Sequence, residues 1–388
     1  MSVWDDLVGQ ESAVATLRRA VAAGHDPSER HAMSHAWLIT GPPGSGRSNA
    51  ARAFAAALQC PSGGCGTCSA CRTALSGAHP DVTLVRTEQL SIGVDEVRDL
   101  ARRAAMSPTL GPHQVLVVED ADRVTERGAD ALLKSIEEPA PKTVWVLCAP
   151  TPDDVVVTIR SRCRRLHLVT PSDEAVARLL EQRDGVDAAL AAHAARAAQG
   201  HVGRARALAR DEAARNRRHE ILKVPGQLVS VGACLTAAAN IVKASADEAA
   251  QATADLDARE RAELSEALGM GTKGARPRNV QAALKELDDQ QKARAKRLQR
   301  DALDRVLTEL TTFHRDVLVV QTVPDHPERR LVNPELREQI TAAARSSTPE
   351  ATIRRIDALL AARTALEGNV APLLAIEAML LAMADPDT

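Results

Sequence analysis

A short apolar run, Ala36-Trp37-Leu38-Ile39-Thr40, leads directly into Gly41-Pro42-Pro43-Gly44-Ser45-Gly46-Arg47-Ser48, and residues 48–59 then resume a helical apolar period. Strand, glycine loop and helix in this order constrain the fold more than any other stretch. Such a strand needs parallel neighbours, with helices crossing over both faces of the sheet. The glycines let backbone N–H groups point inward at a phosphate, and the helix N-terminus adds a favourable dipole. The remaining pattern agrees. Val82–Val85, Val115–Val118 and Thr143–Cys148 read as strands, while 11–24, Val94–Ala105 and Ala129–Glu138 read as helices, the last stopping at Pro139.

Strand signals vanish after about residue 168. Residues 172–223 read as short helices punctuated by Gly200-His201-Val202-Gly203, and everything from 225 onward is Ala/Leu/Glu/Arg-rich and helical. Breaks are expected at Gly269–Pro277 and Thr322–Pro334. The expected class is therefore α/β plus all-α, with three domains: a nucleotide-binding fold over 1–168, a small helical lid over 169–224 and a helical domain over 225–388.

Composition removes several functions. Lys and Arg number 49 against 51 Asp and Glu, a net charge of −2, so a polycationic surface for nucleic acid is excluded. Three Trp, two Phe and no Tyr cannot build a platform for stacking bases. No run approaches the roughly 20 apolar residues of a membrane helix; Val370–Ala384 is interrupted by Glu377 and reads as a core helix. The acidic N-terminus lacks the apolar core of a signal peptide, so a cytoplasmic location is expected. The segment from Lys285 to Arg305, including Lys292, Arg294, Lys296, Arg297 and Arg300, reads as a solvated helix face, with a contact to template DNA as the sharper alternative.

The loop departs from a working ATP site. Position 47 holds Arg where a compact Lys would sit between the β- and γ-oxygens. The run Val115–Val118 ends in Glu119-Asp120, whereas Mg²⁺ orientation followed by water polarisation calls for Asp and then Glu. Each side chain is wrong by one methylene, and geometry is most of phosphoryl transfer. ATP/Mg²⁺ binding at Gly41 to Ser48, Glu119 and Asp120 is therefore expected to be weak or absent. Cys60, Cys65, Cys68 and Cys71 fall in a Gly/Ser-rich stretch at spacings that suit a closed, structural Zn²⁺ site.

Together these residues resemble the bacterial clamp-loader branch of the AAA+ superfamily. The resemblance includes Val8-Gly9-Gln10, the glycine loop, the cysteine cluster inserted after the first helix and Leu132-Leu133-Lys134-Ser135-Ile136-Glu137-Glu138-Pro139. Its most specific part is Thr158-Ile159-Arg160-Ser161-Arg162-Cys163. In that family the arginine matching Arg162 is presented in trans to ATP on the neighbouring subunit. His79-Pro80-Asp81, Val94-Asp95-Glu96-Val97-Arg98 and Gly200-His201-Val202-Gly203-Arg204 look like the delta prime type rather than the tau/gamma ATPase. The resemblance implies an AAA+ P-loop sheet with a zinc module at 60–71, a lid, and a collar ending in Asn369 to Glu377. It also makes Arg204 the counterpart of a second sensor arginine. Pro150 stands about where an active subunit places a sensor threonine, and the first cysteine gap is shorter than usual for the family. The implied partners are tau/gamma ATPase and delta subunits in a hetero-pentamer, and through them the sliding clamp and primer–template DNA. An active tau/gamma-like ATPase is the alternative.

Overall fold

The computed structural model describes residues 2–25, 33–87, 91–268, 280–323 and 331–384. The break expected at Gly269–Pro277 lies outside the described residues, as do residues 324–330 of the second. Among the described residues, β1 (Ala36–Thr40), β2 (Val82–Val85), β3 (Gln114–Val118), β4 (Thr143–Ala149) and β5 (Arg164–His167) form one parallel sheet in the order β2-β3-β4-β1-β5. The three inner strands are buried at every position, which is why they read as unbroken apolar runs.

Alternation along the strands divides two cores. Trp37, Ile39, Val115, Val117 and Val146 pack with Leu17, Phe54 and Leu58 beneath α1 (Glu11–His25) and α2 (Arg47–Gln59), and α3 (Ser69–Ser76) joins through Cys71 and Ala74. Leu38, Leu116, Trp145 and Leu147 face the other way, against Val97 and Leu100 of α4 (Val94–Ala104) and Leu132 and Ile136 of α5 (Glu126–Glu137). The expected fold class, a parallel P-loop sheet followed by helices, is the one found. One strand was not expected. Arg164-Arg165-Leu166-His167 reads as a basic turn, yet it pairs with β1 as the sheet edge, where Leu166 alone is buried. The Arg164 guanidinium lies over the Trp37 ring, 4.9 Å from its centroid, so a charged residue still covers apolar surface.

The chain divides into two compact units, Met1–Arg210 and Asp211–Thr388. In the first, α6 (Val157–Arg160) leads into β5, and α7 (Asp173–Gln182), α8 (Ala188–Ala198) and α9 (Val202–Arg210) follow the sheet. Ser172 and Asp187 cap α7 and α8 through their side-chain oxygens. Asp184 accepts from Arg206 at 2.8 Å and lies 2.9 Å from Arg210, tying α9 back to the end of α7.

The second unit comprises α10 (Glu212–Lys223), α11 (Val231–Ala267), α12 (Val280–Thr322), α13 (Arg337–Ser346), α14 (Pro349–Glu367) and α15 (Pro372–Ala384). Its core joins Ile241, Leu303, Leu307, Leu310, Leu359, Ile376 and Leu380. The sequence groups α10 with the short helices before it, but the structure places it against α12. The cause is polar: buried Arg218 donates from Nε to Glu309 and from Nη1 to Glu335, both at 3.0 Å, and from Nη2 to Asn333. A guanidinium satisfied in this way is costly to undo, because Glu309 and Asn333 are themselves buried and would lose this partner. The basic run on α12 is also less solvated than its composition implies. Arg294 and Arg297 are buried, and Arg294 reaches Glu260 on α11 at 2.6 Å. Among the described residues, no helix is long and apolar enough to cross a membrane.

His314 on α12 is buried, and burial, followed by the positive charge of Arg355, pushes its pKa from 6.5 down to about 3. Above pH 6.5 the ring is neutral in both folded and unfolded chains. Below that, only the unfolded chain takes up the proton. Stability is therefore expected to fall by about 1.4 kcal/mol per pH unit between pH 6.5 and 3 on account of this residue. Denaturant midpoints at pH 7 and 5 check this: His314→Gln should flatten the difference, and an unchanged difference would refute it.

Candidate functional site

The glycine loop is held at its start, on both sides, by the chain beyond the strands flanking β1. Gly41 N–H donates to Pro150 O at 3.1 Å, beyond β4, and Leu168 N–H donates to Thr40 O at 2.7 Å, beyond β5. Gly44 and Gly46 have φ of +83° and +94°, a conformation that side chains resist. Space is as decisive as φ at Gly44. A Cβ there would lie 2.2 Å from Cγ and 2.5 Å from Cα of His201, so the residue entering α9 sits directly on the loop.

Gln10 fixes the loop from beneath. Its Nε2 donates to Val169 O at 2.7 Å and Ser45 O at 3.3 Å, while Oε1 accepts from Val169 N–H at 3.1 Å. The residue is buried, so these bonds are not shared with bulk water. Val8-Gly9-Gln10 enters the sequence reading only as part of a resemblance; a glutamine directly after a glycine and before an amphipathic helix was the available signal for it.

The loop's charged residues turn inward. Arg47, the first residue of α2, donates to the Gly41 carbonyl of its own loop. Burial lowers its pKa, against the opposing charges of Asp122 and Asp120. Glu119 is buried and accepts from Arg52 Nε at 2.6 Å, which occupies the carboxylate expected to face Mg²⁺. Asp120 lies 4.0 Å from Arg123 Nε. The Asp122 carboxyl is raised, chiefly by burial. Arg204 N–H donates to His201 Nδ1 at 3.1 Å, and burial followed by the Arg204 charge lowers the His201 pKa. The structure thus brings Gly41 to Ser48, Glu119, Asp120 and Arg204 to one end of the sheet.

Arg162 stands apart, in the turn between α6 and β5. Its Nη1 donates to Thr158 O at 2.7 Å and to Ser161 Oγ at 3.3 Å, and Nη2 pairs with Glu137 at the end of α5. The side chain is 39% exposed.

Cys60 at the end of α2, Cys65 and Cys68 in the following loop and Cys71 on α3 place their Sγ atoms within 4.8 Å of one another. Cys60 Sγ is 3.7 Å from that of Cys65 and 3.8 Å from that of Cys68. A tetrahedron of ~2.3 Å metal–sulfur bonds has edges of about 3.8 Å, whereas a disulfide needs about 2.05 Å. The N–H groups of Cys65, Gly66, Cys68 and Cys71 point at sulfur atoms of the cluster, each at 3.4 Å, and favour thiolates. The N–H and hydroxyl of Thr67, then Cys68, bring the Cys65 thiol down to about 6, while burial pushes Cys71 up. The donor set fits a metal ion. The short first gap is closed by Gly63 and Gly64, with φ of +65° and +106°. Gly64 O accepts from Val3 N–H and Ser2 Oγ, both at 3.1 Å, and Gly63 O accepts from Trp4 Nε1 at 3.3 Å, so this loop anchors the start of the chain.

His79 and Asp81 are structural. His79 Nδ1 accepts from Asp81 N–H at 3.1 Å, and the Asp81 carboxylate accepts from the N–H groups of Thr109, Leu110 and Gly111 at 2.6, 2.7 and 2.7 Å. Burial opposes the Asp81 charge, but these donors outweigh it and hold the carboxyl below its usual range.

Residues 10–172 match the family described as "DNA polymerase III, delta subunit". The chain is 39% identical over 136 residues to DNA polymerase III subunit delta' of Pseudomonas aeruginosa, covering 34% of this chain and 42% of that protein. It is 37% identical over 146 residues to subunit delta' of Escherichia coli, covering 36% and 43% respectively. Subunit gamma/tau of Mycobacterium tuberculosis is 35% identical over 162 residues, covering 40% of this chain and 27% of that one. The chain thus spans less than half the length of these curated relatives. Among solved structures, a gamma subunit-related protein of Thermotoga maritima has 16% identity and a TM-score of 0.39, with 97% of this chain and 99% of that chain covered.

Replacing Gln10 by Leu should leave the Ser45 carbonyl and both polar groups of Val169 without this partner. At about 1–3 kcal/mol for the buried Ser45 carbonyl, with the polar groups of half-exposed Val169 re-paired by water, the first unit is expected to lose about 1–3 kcal/mol, read as a lower denaturant midpoint in tryptophan fluorescence. An unchanged midpoint would show that the loop is held elsewhere.

Proposed function

We propose that this chain, whose residues 10–172 match the family described as "DNA polymerase III, delta subunit" and which is similar there to the delta' subunits of other bacteria, works as a clamp-loader subunit that serves the ATP sites of others. In this reading it joins tau/gamma ATPase and delta subunits in a hetero-pentamer that loads the sliding clamp onto primed DNA. Arg162 reaches the γ-phosphate of ATP bound on the adjacent subunit, where an added positive charge is worth ~10³–10⁵ in rate.

The observation that carries this reading is a contrast between two arginines. Arg47 is folded into its own phosphate loop, on Gly41, whereas Arg162 lies half-exposed on an outer turn. Positive charge is withdrawn from the chain's own site and displayed elsewhere. A gamma/tau-like ATPase would need Arg47 to leave Gly41 and Glu119 to leave Arg52 together, with His201 moving off Gly44.

We assign zinc to Cys60, Cys65, Cys68 and Cys71. With four protein ligands the ion would have no open position for chemistry and would cross-link α2, α3 and their loop. Through Gly63 and Gly64 it would also secure Val3 and Trp4.

Two measurements test these assignments. In a reconstituted complex, Arg162→Ala should lower DNA-stimulated ATP turnover severalfold or more while assembly persists, and undiminished turnover would overturn the trans role. Elemental analysis should find one zinc per chain. Its removal by chelator should perturb tryptophan emission through Trp4, because Trp37 and Trp145 lie within the sheet core. Metal-free protein as isolated, or disulfides among the four cysteines, would refute the zinc site.

A further inference from the structure

The segment Leu132 to Pro139 contributes to the resemblance but has no task in the function proposed above. Structurally it is the end of α5, and Glu137 is the last residue of that helix. A carboxylate at a helix C-terminus faces the negative end of the dipole and is disfavoured there unless a cation compensates it. The cation is Arg162, whose Nη2 meets Glu137 Oε1. The adjacent arginines are committed to other partners: Arg160 pairs with Asp153, and Arg164 lies over Trp37. The pairing with Glu137 therefore singles out the arginine to which the trans role is assigned.

The contact has the strength of a reversible one. The two side chains are 39% and 42% exposed, and ion pairs this open to water contribute little to stability. Arg162 has two further acceptors, the Thr158 carbonyl and the Ser161 hydroxyl. Both are neutral, so they orient the guanidinium without neutralising it. Among the described partners of Arg162, Glu137 supplies the competing negative charge. A terminal phosphate carries more charge and three acceptor oxygens, and so outcompetes a single carboxylate.

We infer that Glu137 is a latch for Arg162, a positioning residue that holds the guanidinium against its own chain until the neighbouring subunit's polyphosphate displaces the carboxylate. This rests on the trans role of Arg162. Because the latch competes with the phosphate, its removal strengthens nucleotide engagement and leaves the chemical step in place.

The test uses the reconstituted complex and ATP as probe. Glu137→Gln keeps the shape and removes the charge, and is expected to lower the KM for ATP about two- to fivefold with kcat little changed. In an Arg162→Ala background the same substitution should do nothing, a coupling that a merely structural role would not produce. Glu138→Gln, which removes an equal charge one residue on, should leave KM as it was. An unchanged or raised KM for Glu137→Gln, an equal effect of Glu138→Gln, or persistence of the effect without Arg162 would each overturn the latch. If Arg162→Ala itself leaves turnover intact, the trans role falls and the latch with it, a result distinct from all of these.

Discussion

The position of β1 inside the sheet governs everything at the phosphate loop. Its register with β4 and β5 aligns Thr40 with Ala149 on one side and His167 on the other. The chain leaving β1 is therefore caught at once by Pro150 and Leu168. A loop pinned at that point has little freedom, and its glycines settle into the few conformations that remain. Gln10 completes the fixation by joining Ser45 to Val169, which ties the loop to the segment that follows β5. What the loop can bind is then decided by the side chains turned into it, because its backbone has already been placed.

The cysteine cluster applies the same logic to a shorter span. Between Cys60 and Cys71 the chain has too few apolar residues to pack a core of its own, and its glycines would otherwise cost conformational entropy. Four sulfur atoms with N–H donors aimed at them convert that stretch into a rigid platform once a metal is held. The platform carries the Gly63 and Gly64 carbonyls to which Ser2, Val3 and Trp4 are bonded, so the order of the N-terminal segment is linked to it.

The parts legible in the sequence were those whose environment is uniform. β1, β3 and β4 are buried on both faces and read as apolar runs; the cysteines and the glycine loop are chemically marked at short spacing. β5 escaped because an edge strand buries one residue in two, and Arg164-Arg165-Leu166-His167 shows a single apolar position. The placement of α10 escaped for a different reason: Arg218 meets Glu309, Asn333 and Glu335 from more than 90 positions away, and no local pattern announces such partners. Arg294 likewise meets Asp257 and Glu260 on α11, not partners on its own helix. At the site, the sequence marked Arg47 and Glu119 as departures. It did not show that Arg52 and the Gly41 carbonyl absorb them, nor that His201 closes over Gly44.

Those closures bear on how the loop differs from a working one. An Arg in place of Lys can reach back across its own loop, and Arg47 does so to Gly41. Arg52 lies five residues further along α2 and meets Glu119 from the same helix. Two cations on one helix thus consume the acceptor at the loop's start and the carboxylate at the end of β3. His201 fills the space that the absent Gly44 side chain leaves. Restoring Lys at position 47 would free only the first of these. The carboxylate would still be paired and the imidazole still seated, so the change in the loop is distributed over three contacts from α2 and α9. Distribution of that kind gives rigidity, since no single opening exposes the site. A rigid body is what a subunit needs if its part is to hold Arg162 at a fixed place for a neighbour.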